Sequence, residues 1–250
     1  MKEKTTEDAI RQVWIDPSLF SSEPWGDKEA VSNDGITRLY EIHQHACDRL
    51  ANDPDEFDRV DAIMALRRVV GKRVKELKET YQLRELPTGA KPKGDLELLE
   101  YFGIIRPFML RRLIDIRNFV EHQDSSPPPP TSECLMFADL VWYFLRSTDG
   151  LAKFEVQMLI FHPRKAAPEE FEQIIHLYFS EAFSEVKISA LAYPSLIAYE
   201  PRENWIAVEQ AEISRHDHGD ETIWVSVEGK IRGADEQMKL IYDLYFRASY

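Results

Sequence analysis

Apolar residues recur at three- and four-residue steps through the first 150 positions and mostly at two-residue steps afterwards, so the chain changes architecture part-way along. Ile36, Leu39, Ile42 and Leu50 make one face of a helix predicted over residues 35–51, which Asn52-Asp-Pro-Asp55 ends. A longer helix is predicted over 56–82, where Val60, Ile63, Met64, Leu66, Val70, Val74 and Leu77 keep the period and only Gly71 interrupts it. Prolines and glycines mark 86–95 as a loop. A helical stretch is then predicted from Asp95 to His122, with Gly103 and Pro107 as the place for a kink. Pro127-Pro-Pro-Pro130 ends it, and Thr131 or Ser132 can cap a last helix running to about Arg146.

Beyond Asp149-Gly150 strands are predicted at 154–161, 186–199, 205–213 and 222–231, with helices at 168–183 and 234–246. The clearest is the last strand, where Ile223, Val225, Val227 and Ile231 alternate with Trp224, Ser226 and Glu228. The order β-α-β-β-β-α describes a small domain with a mostly antiparallel sheet and two helices. The expected fold class is therefore α+β: an N-terminal arm at 1–33, an all-α bundle at 34–148 and an α+β domain at 152–250. The arm is polar and turn-rich, and Trp14 and Trp25 are the residues able to pin it onto the bundle.

A 44% hydrophobic share over 250 residues supplies enough material for real cores, yet no apolar run reaches the length of a membrane helix. Two cysteines, Cys47 and Cys134, make no disulfide framework, and with no export segment after Met1 they lead us to expect a soluble cytoplasmic protein. The net charge of −13 argues against a general nucleic-acid coat, but it is unevenly spread. Residues 35–122 carry +1, whereas residues 152–250 carry −7. Within the first of these, Arg67, Arg68, Lys72, Arg73, Lys75 and Lys78 face only Glu76, a local excess suited to phosphate contacts. Arg68, Lys72 and Lys75 lie at helical spacing and form a candidate RNA-binding stripe, the other reading being a solvated helix face.

One stretch combines a helical pattern with reactive groups at its end. Leu110, Leu113, Ile114, Ile116 and Val120 line a helix face, and the last turn carries Arg117, Asn118, Glu121 and His122. Ile116-Arg-Asn-Phe-Val-Glu-His122 resembles the Arg-Asn-x-x-x-His signature near the end of the third helix in HEPN-like domains. The resemblance covers roughly residues 34–148. It implies a four- or five-helix bundle that dimerises through its helices and, in many members, cleaves RNA without a metal. It also implies a place in toxin or phage-defence systems, with the C-terminal domain sensing or regulating through a protein or ligand.

Five helical steps set Arg117 and His122 about 140° apart on a straight helix, so convergence needs the helix to end near His122 or a partner protomer to complete the site. If they converge, His122 can move the proton of a 2′-OH or of the leaving 5′-oxygen. Arg117 can hold the scissile phosphate, and Asn118 can orient the imidazole or bind phosphate. The products that the resemblance implies are a 2′,3′-cyclic phosphate and a 5′-hydroxyl. The same residues admit a structural reading, with Arg117–Glu121 as a helix ion pair and His122 favoured by the helix dipole. The alternative function is then a non-catalytic assembly bundle carrying a ligand- or partner-binding α+β domain. His43 with Cys47 could begin a zinc site but has no second ligand pair, and His216 with His218 could bind a cation but sits in a polar loop that needs Gly, Asp and His for turn geometry alone, so no metal or cofactor is expected.

Overall fold

In a computed structural model the chain is described over residues 12–16, 20–25, 28–29, 33–106, 108, 111–112, 114–115, 118, 128–155, 158–163, 174–180, 185–192, 194–203, 205–217, 223–231 and 235–248. These form an α+β protein of two compact units: a helical one, Lys28–Arg84 with Lys91–Glu155, and a sheet one, Met1–Asp27 with Glu85–Ala90 and Val156–Ser249. No helix among the described residues is long and apolar enough to cross a membrane.

In the helical unit, α1 (Asn33–Leu50), α2 (Glu56–Thr80) and α4 (Thr131–Lys153) pack on one another, with the short α3 (Asp95–Tyr101) against α2. Asp55 caps α2 through a reciprocal pair: its carboxylate accepts from the Asp58 N–H while the Asp58 side chain accepts from its own. Leu39, Ile63, Leu66, Val69, Val141 and Phe144 fill the core at helical spacing. Asp95 joins the end of α2 to the start of α3, accepting from Lys78 at 2.7 Å and Arg84 at 2.8 Å. Burial alone would raise its carboxyl, but those two hydrogen bonds with the two cations outweigh it and hold the group below its ordinary range. A two-residue ribbon, β3 (Lys28–Glu29) against β4 (Phe154–Glu155), completes the unit.

Two helix boundaries differ from the sequence reading. The stretch from Asp95 does not run on to a kink at Pro107; α3 stops at Tyr101 because Gly103 takes a left-handed φ of 71°. The Gly103 N–H then donates to the Glu100 carbonyl at 2.8 Å and the Ile104 N–H to that of Leu99 at 2.9 Å, a Schellman stop sealed by buried Leu99 and Ile104. Phe108, Arg111, Arg112, Ile114, Asp115 and Asn118 are helical again. At the other end, α4 passes Arg146 and continues to Lys153, because Thr148, Asp149, Leu151 and Ala152 are all buried.

The sheet unit is antiparallel throughout, in the order β2-β5-β6-β7-β10-β9-β1-β8. Its strands are β1 (Gln12–Ile15), β2 (Phe20–Trp25), β5 (Met158–Pro163), β6 (Ile174–Phe179), β7 (Val186–Ala192), β8 (Ile197–Ala198), β9 (Ile206–Asp217) and β10 (Ile223–Ile231). Two corrections follow. The N-terminal residues read as an arm supply β1 and β2, with Trp14 buried in this unit rather than pinned on the bundle. The helix predicted over 168–183 gives way to a strand at its described centre, Ile174-Ile-His-Leu-Tyr-Phe179, whose β-branched and aromatic residues suit a pleated surface. One described helix, α5 (Asp235–Ala248), therefore covers the sheet instead of two. Its Tyr242 and Tyr245 meet Phe179, the second with ring centroids 4.6 Å apart. Ile175, Leu177, Val186, Ile188, Val225 and Val227 are buried while the residues between them face outward.

Candidate functional site

The Arg-Asn-x-x-x-His stretch is described at one of its three named positions. Asn118 is helical and exposed, nearly two turns beyond Arg111 and Arg112. Arg117 and His122, with Glu121, lie outside the described residues. The helical residues leading to Asn118 turn an exposed face outward at Phe108, Arg111, Asp115 and Asn118, spaced at three and four residues. On it Arg112 pairs with Asp115 at 3.4 Å and lies 5.8 Å from the Phe108 ring centre.

Arg68, Lys72 and Lys75 sit on the outer face of α2, opposite Leu66, Val69, Val70 and Leu77, which point into the bundle. Phe57 and Met64 share that outer face ahead of the cations, with exposed Asp61 between them and Phe57 78% exposed, so apolar groups precede basic ones along roughly 27 Å of helix. Lys72 reaches the mostly buried Glu76 and Lys75 the exposed Glu79 only at 3.9 Å, and the second is an exposed i, i+4 pair of the kind that contributes little. Among the described residues no ion pair engages Arg68. The stripe thus keeps cations available for phosphate oxygens, with Phe57 and Met64 as apolar contacts beside them.

Arg73 does not belong to this stripe. It is fully buried, and its Nη2 donates to Asp149 Oδ1 at 3.1 Å while Nη1 donates to the Thr148 carbonyl at 3.1 Å. The Tyr40 hydroxyl donates to the other Asp149 oxygen at 2.7 Å, and Arg146 approaches that oxygen at 3.6 Å from the solvent side. Burial, then the hydrogen bond to Asp149 and its charge, push the Tyr40 hydroxyl up to about 12. Glu76 stands 3.6 Å from Arg73 Nε, and burial raises its carboxyl against the pull of Arg73 and Lys72. Among the described residues neither Arg73 Nε nor Glu76 Oε2 has a hydrogen-bond partner. The cluster fastens α1, α2 and α4 together. A sequence signal for it existed: Arg73 stands four residues from Val69 and from Leu77, inside the apolar stripe.

The ligand-like pair His43 and Cys47 reads as core packing. His43 is buried with Nε2 2.8 Å from the Ala138 carbonyl, and Cys47 Sγ lies 3.8 Å from His43 Nδ1. Burial, reinforced by Asp48 and Asp139, pushes the Cys47 thiol up and keeps it protonated. His216 lies in β9, and His218 falls outside the described residues. Among the described residues no group of three or more His, Cys, Asp or Glu side chains is placed to hold a metal ion. The chain matches no protein-family model, no curated protein and no solved structure.

Proposed function

We propose that the helical unit is a HEPN-like, metal-independent endoribonuclease bundle acting as a homodimer, with the sheet unit regulating it. In this reading Arg117 holds the scissile phosphate, His122 moves the proton of the attacking 2′-OH, and Asn118 orients one or the other. The observation that carries it is the outward stripe of Arg68, Lys72 and Lys75 on α2, in a bundle whose motif-bearing stretch precedes the last helix and presents Asn118 to solvent. A strand of RNA laid along that stripe meets cations one helical turn apart, with Phe57 and Met64 beside them. The setting the resemblance implies, a toxin or defence effector, fits an enzyme whose activity needs a regulating unit.

A second reading has an observation of its own. On α4, Leu135 and Trp142, and beside them Met136 and Tyr143, are exposed and spaced seven residues apart, an unpartnered apolar seam. Such a seam suits a helical assembly module, with or without catalysis.

The deciding experiment incubates labelled structured RNA with the full chain in EDTA. Cyclic phosphate ends from the wild type, and a rate loss of about 10²–10⁴-fold in folded Arg117→Ala and His122→Ala, support the nuclease. An Arg68/Lys72/Lys75 triple alanine variant then binds RNA with a shallower salt dependence. Cleavage that survives both Arg117→Ala and His122→Ala removes the assignment of those residues. Absence of both cleavage and salt-dependent RNA binding overturns the proposal in favour of assembly.

A further inference from the structure

The outward face of the sheet carries charge in a pattern that its own fold does not need. The strand registers align its side chains into two rows that cross the strands. In the first row Glu212 of β9 stands opposite Glu228 of β10, Glu228 opposite Ser189 of β7, and Ser189 opposite His176 of β6. In the second, Glu209 of β9 stands opposite Lys230 of β10, Lys230 opposite Lys187 of β7, and Lys187 opposite Tyr178 of β6. Two residues of strand separate the rows, about 6.8 Å. Between them lies a trough of about 480 Å³, floored by the backbone at Ile188 and Gly229.

Both rows set like charges side by side, an arrangement that opposes pairing of the strands. The basic row is partly relieved: Glu185 reaches Lys230 at 3.2 Å and Lys187 at 3.8 Å, and Glu209 stands opposite Lys230 on the neighbouring strand. The acidic row is not relieved, since no cation pairs with Glu212 or Glu228 among the described residues. One end of the trough is the Tyr178 ring. The other is made by a bulge, where Gln210 and Ala211 oppose the single residue Gly229. Gln210 takes a left-handed φ of 53° there and its exposed side chain lines the trough. A Cβ on Gly229 would come within 2.5 Å of Val208 Cγ1 and 2.8 Å of the Glu209 carbonyl oxygen, so the bulge requires glycine.

We infer that this trough is a binding site for a free α-amino acid, whose ammonium is held by Glu212 and Glu228 and whose carboxylate is held by Lys187 and Lys230. The span decides the class. An α-amino acid sets its ammonium and carboxylate about 3 Å apart, so with charge-assisted hydrogen bonds of about 2.8 Å on each side it spans roughly 8–9 Å, a little more than the spacing of the two rows at the backbone and within reach of the flexible Glu and Lys ends; each carbon added between the charges lengthens that span. The ligand's side chain then extends along the trough toward Tyr178 or toward Gln210, the two ends able to select it. A peptide terminus carries only one of the two charges at that spacing and leaves the opposite row unpaired.

The test is calorimetric titration of the full chain with each of the common L-amino acids, and with the amide and N-acetyl derivatives of any that bind. At least one free amino acid binds with a dissociation constant below about 1 mM. Blocking either end weakens it at least about tenfold, as does Glu212→Gln/Glu228→Gln or Lys187→Ala/Lys230→Ala in a chain that keeps its far-ultraviolet circular dichroism. No binding by any of them overturns the assignment, and so does binding that survives blocked ends or either pair of substitutions. None of these outcomes depends on whether the helical unit cleaves RNA.

Discussion

The two units treat charge in opposite ways. In the helical unit the most buried ionic group, Arg73, is taken up by Asp149, Thr148 and Glu76, and Tyr40 completes the set. Its charges are of opposite sign and already close. In the sheet unit Glu212 faces Glu228 and Lys187 faces Lys230, on an open surface where water would accept any other arrangement. A buried pair of opposite charges explains itself as structure, because breaking it strands a charge in low dielectric. An exposed pair of like charges costs the strand pairing a little even with opposite charges nearby, and a ligand that meets both rows would remove that cost.

That contrast fixes the order of effects. The largest is expected at Arg73. Arg73→Met keeps much of the side-chain volume but leaves Asp149 buried without its inner cation, with Tyr40 and the more distant Arg146 as remaining company. A loss of about 3–5 kcal/mol is expected by urea unfolding, toward the lower end because the Tyr40 hydrogen bond survives. A variant unchanged in stability would mean that Asp149 finds solvent, and that the cluster does not join α1, α2 and α4.

Next comes the bulge. Gly229→Ala places a methyl against Val208 and the Glu209 carbonyl, and neither can retreat without unpairing β9 from β10. Overpacking of this kind costs about 1–3 kcal/mol. The variant should unfold earlier in urea and, by disturbing the bulge that sets Gln210 at one end of the trough, bind its ligand more weakly. Wild-type stability would show that the bulge flattens readily, and the trough would then lose the feature that closes its Gln210 end.

How much of this the sequence disclosed depends on whether periodicity alone can carry it. The strand at 223–231 was legible because Val225 and Val227 alternate cleanly with Ser226 and Glu228. The segment around Ile174–Phe179 was not, since Phe171, Ile174, Ile175 and Tyr178 also fit helical steps and a short apolar run does not discriminate. The two N-terminal strands were hidden by their polarity: Phe20-Ser-Ser-Glu-Pro-Trp25 reads as turn chemistry, and its proline is tolerated where β2 forms the edge of the sheet. Arg73 was counted in the local basic excess because composition records a charge and not the direction in which it points. The Glu and Lys rows could not be read at all. Each member comes from a different strand, and only register across the sheet makes them neighbours.

The smallest effect is the most diagnostic. Glu228→Gln removes one charge from the acidic row while keeping the shape and length of the side chain. If the row is strained by repulsion from Glu212, the variant gains stability, by about 0.2–1 kcal/mol for directly opposed residues on a strand pair. The gain should shrink as salt is raised, because both groups face water. The same substitution should weaken amino-acid binding, so stability and affinity move in opposite directions at one position. Thermal unfolding at low and high salt, beside a titration of the same variant, reads both. At Arg73 no such opposition is expected, because every group that its loss would leave unpaired lies within the chain. A Glu228→Gln variant that is less stable than the wild type would show that the carboxylate has a partner in the fold, and the charge pattern of the sheet face would then need no ligand to account for it.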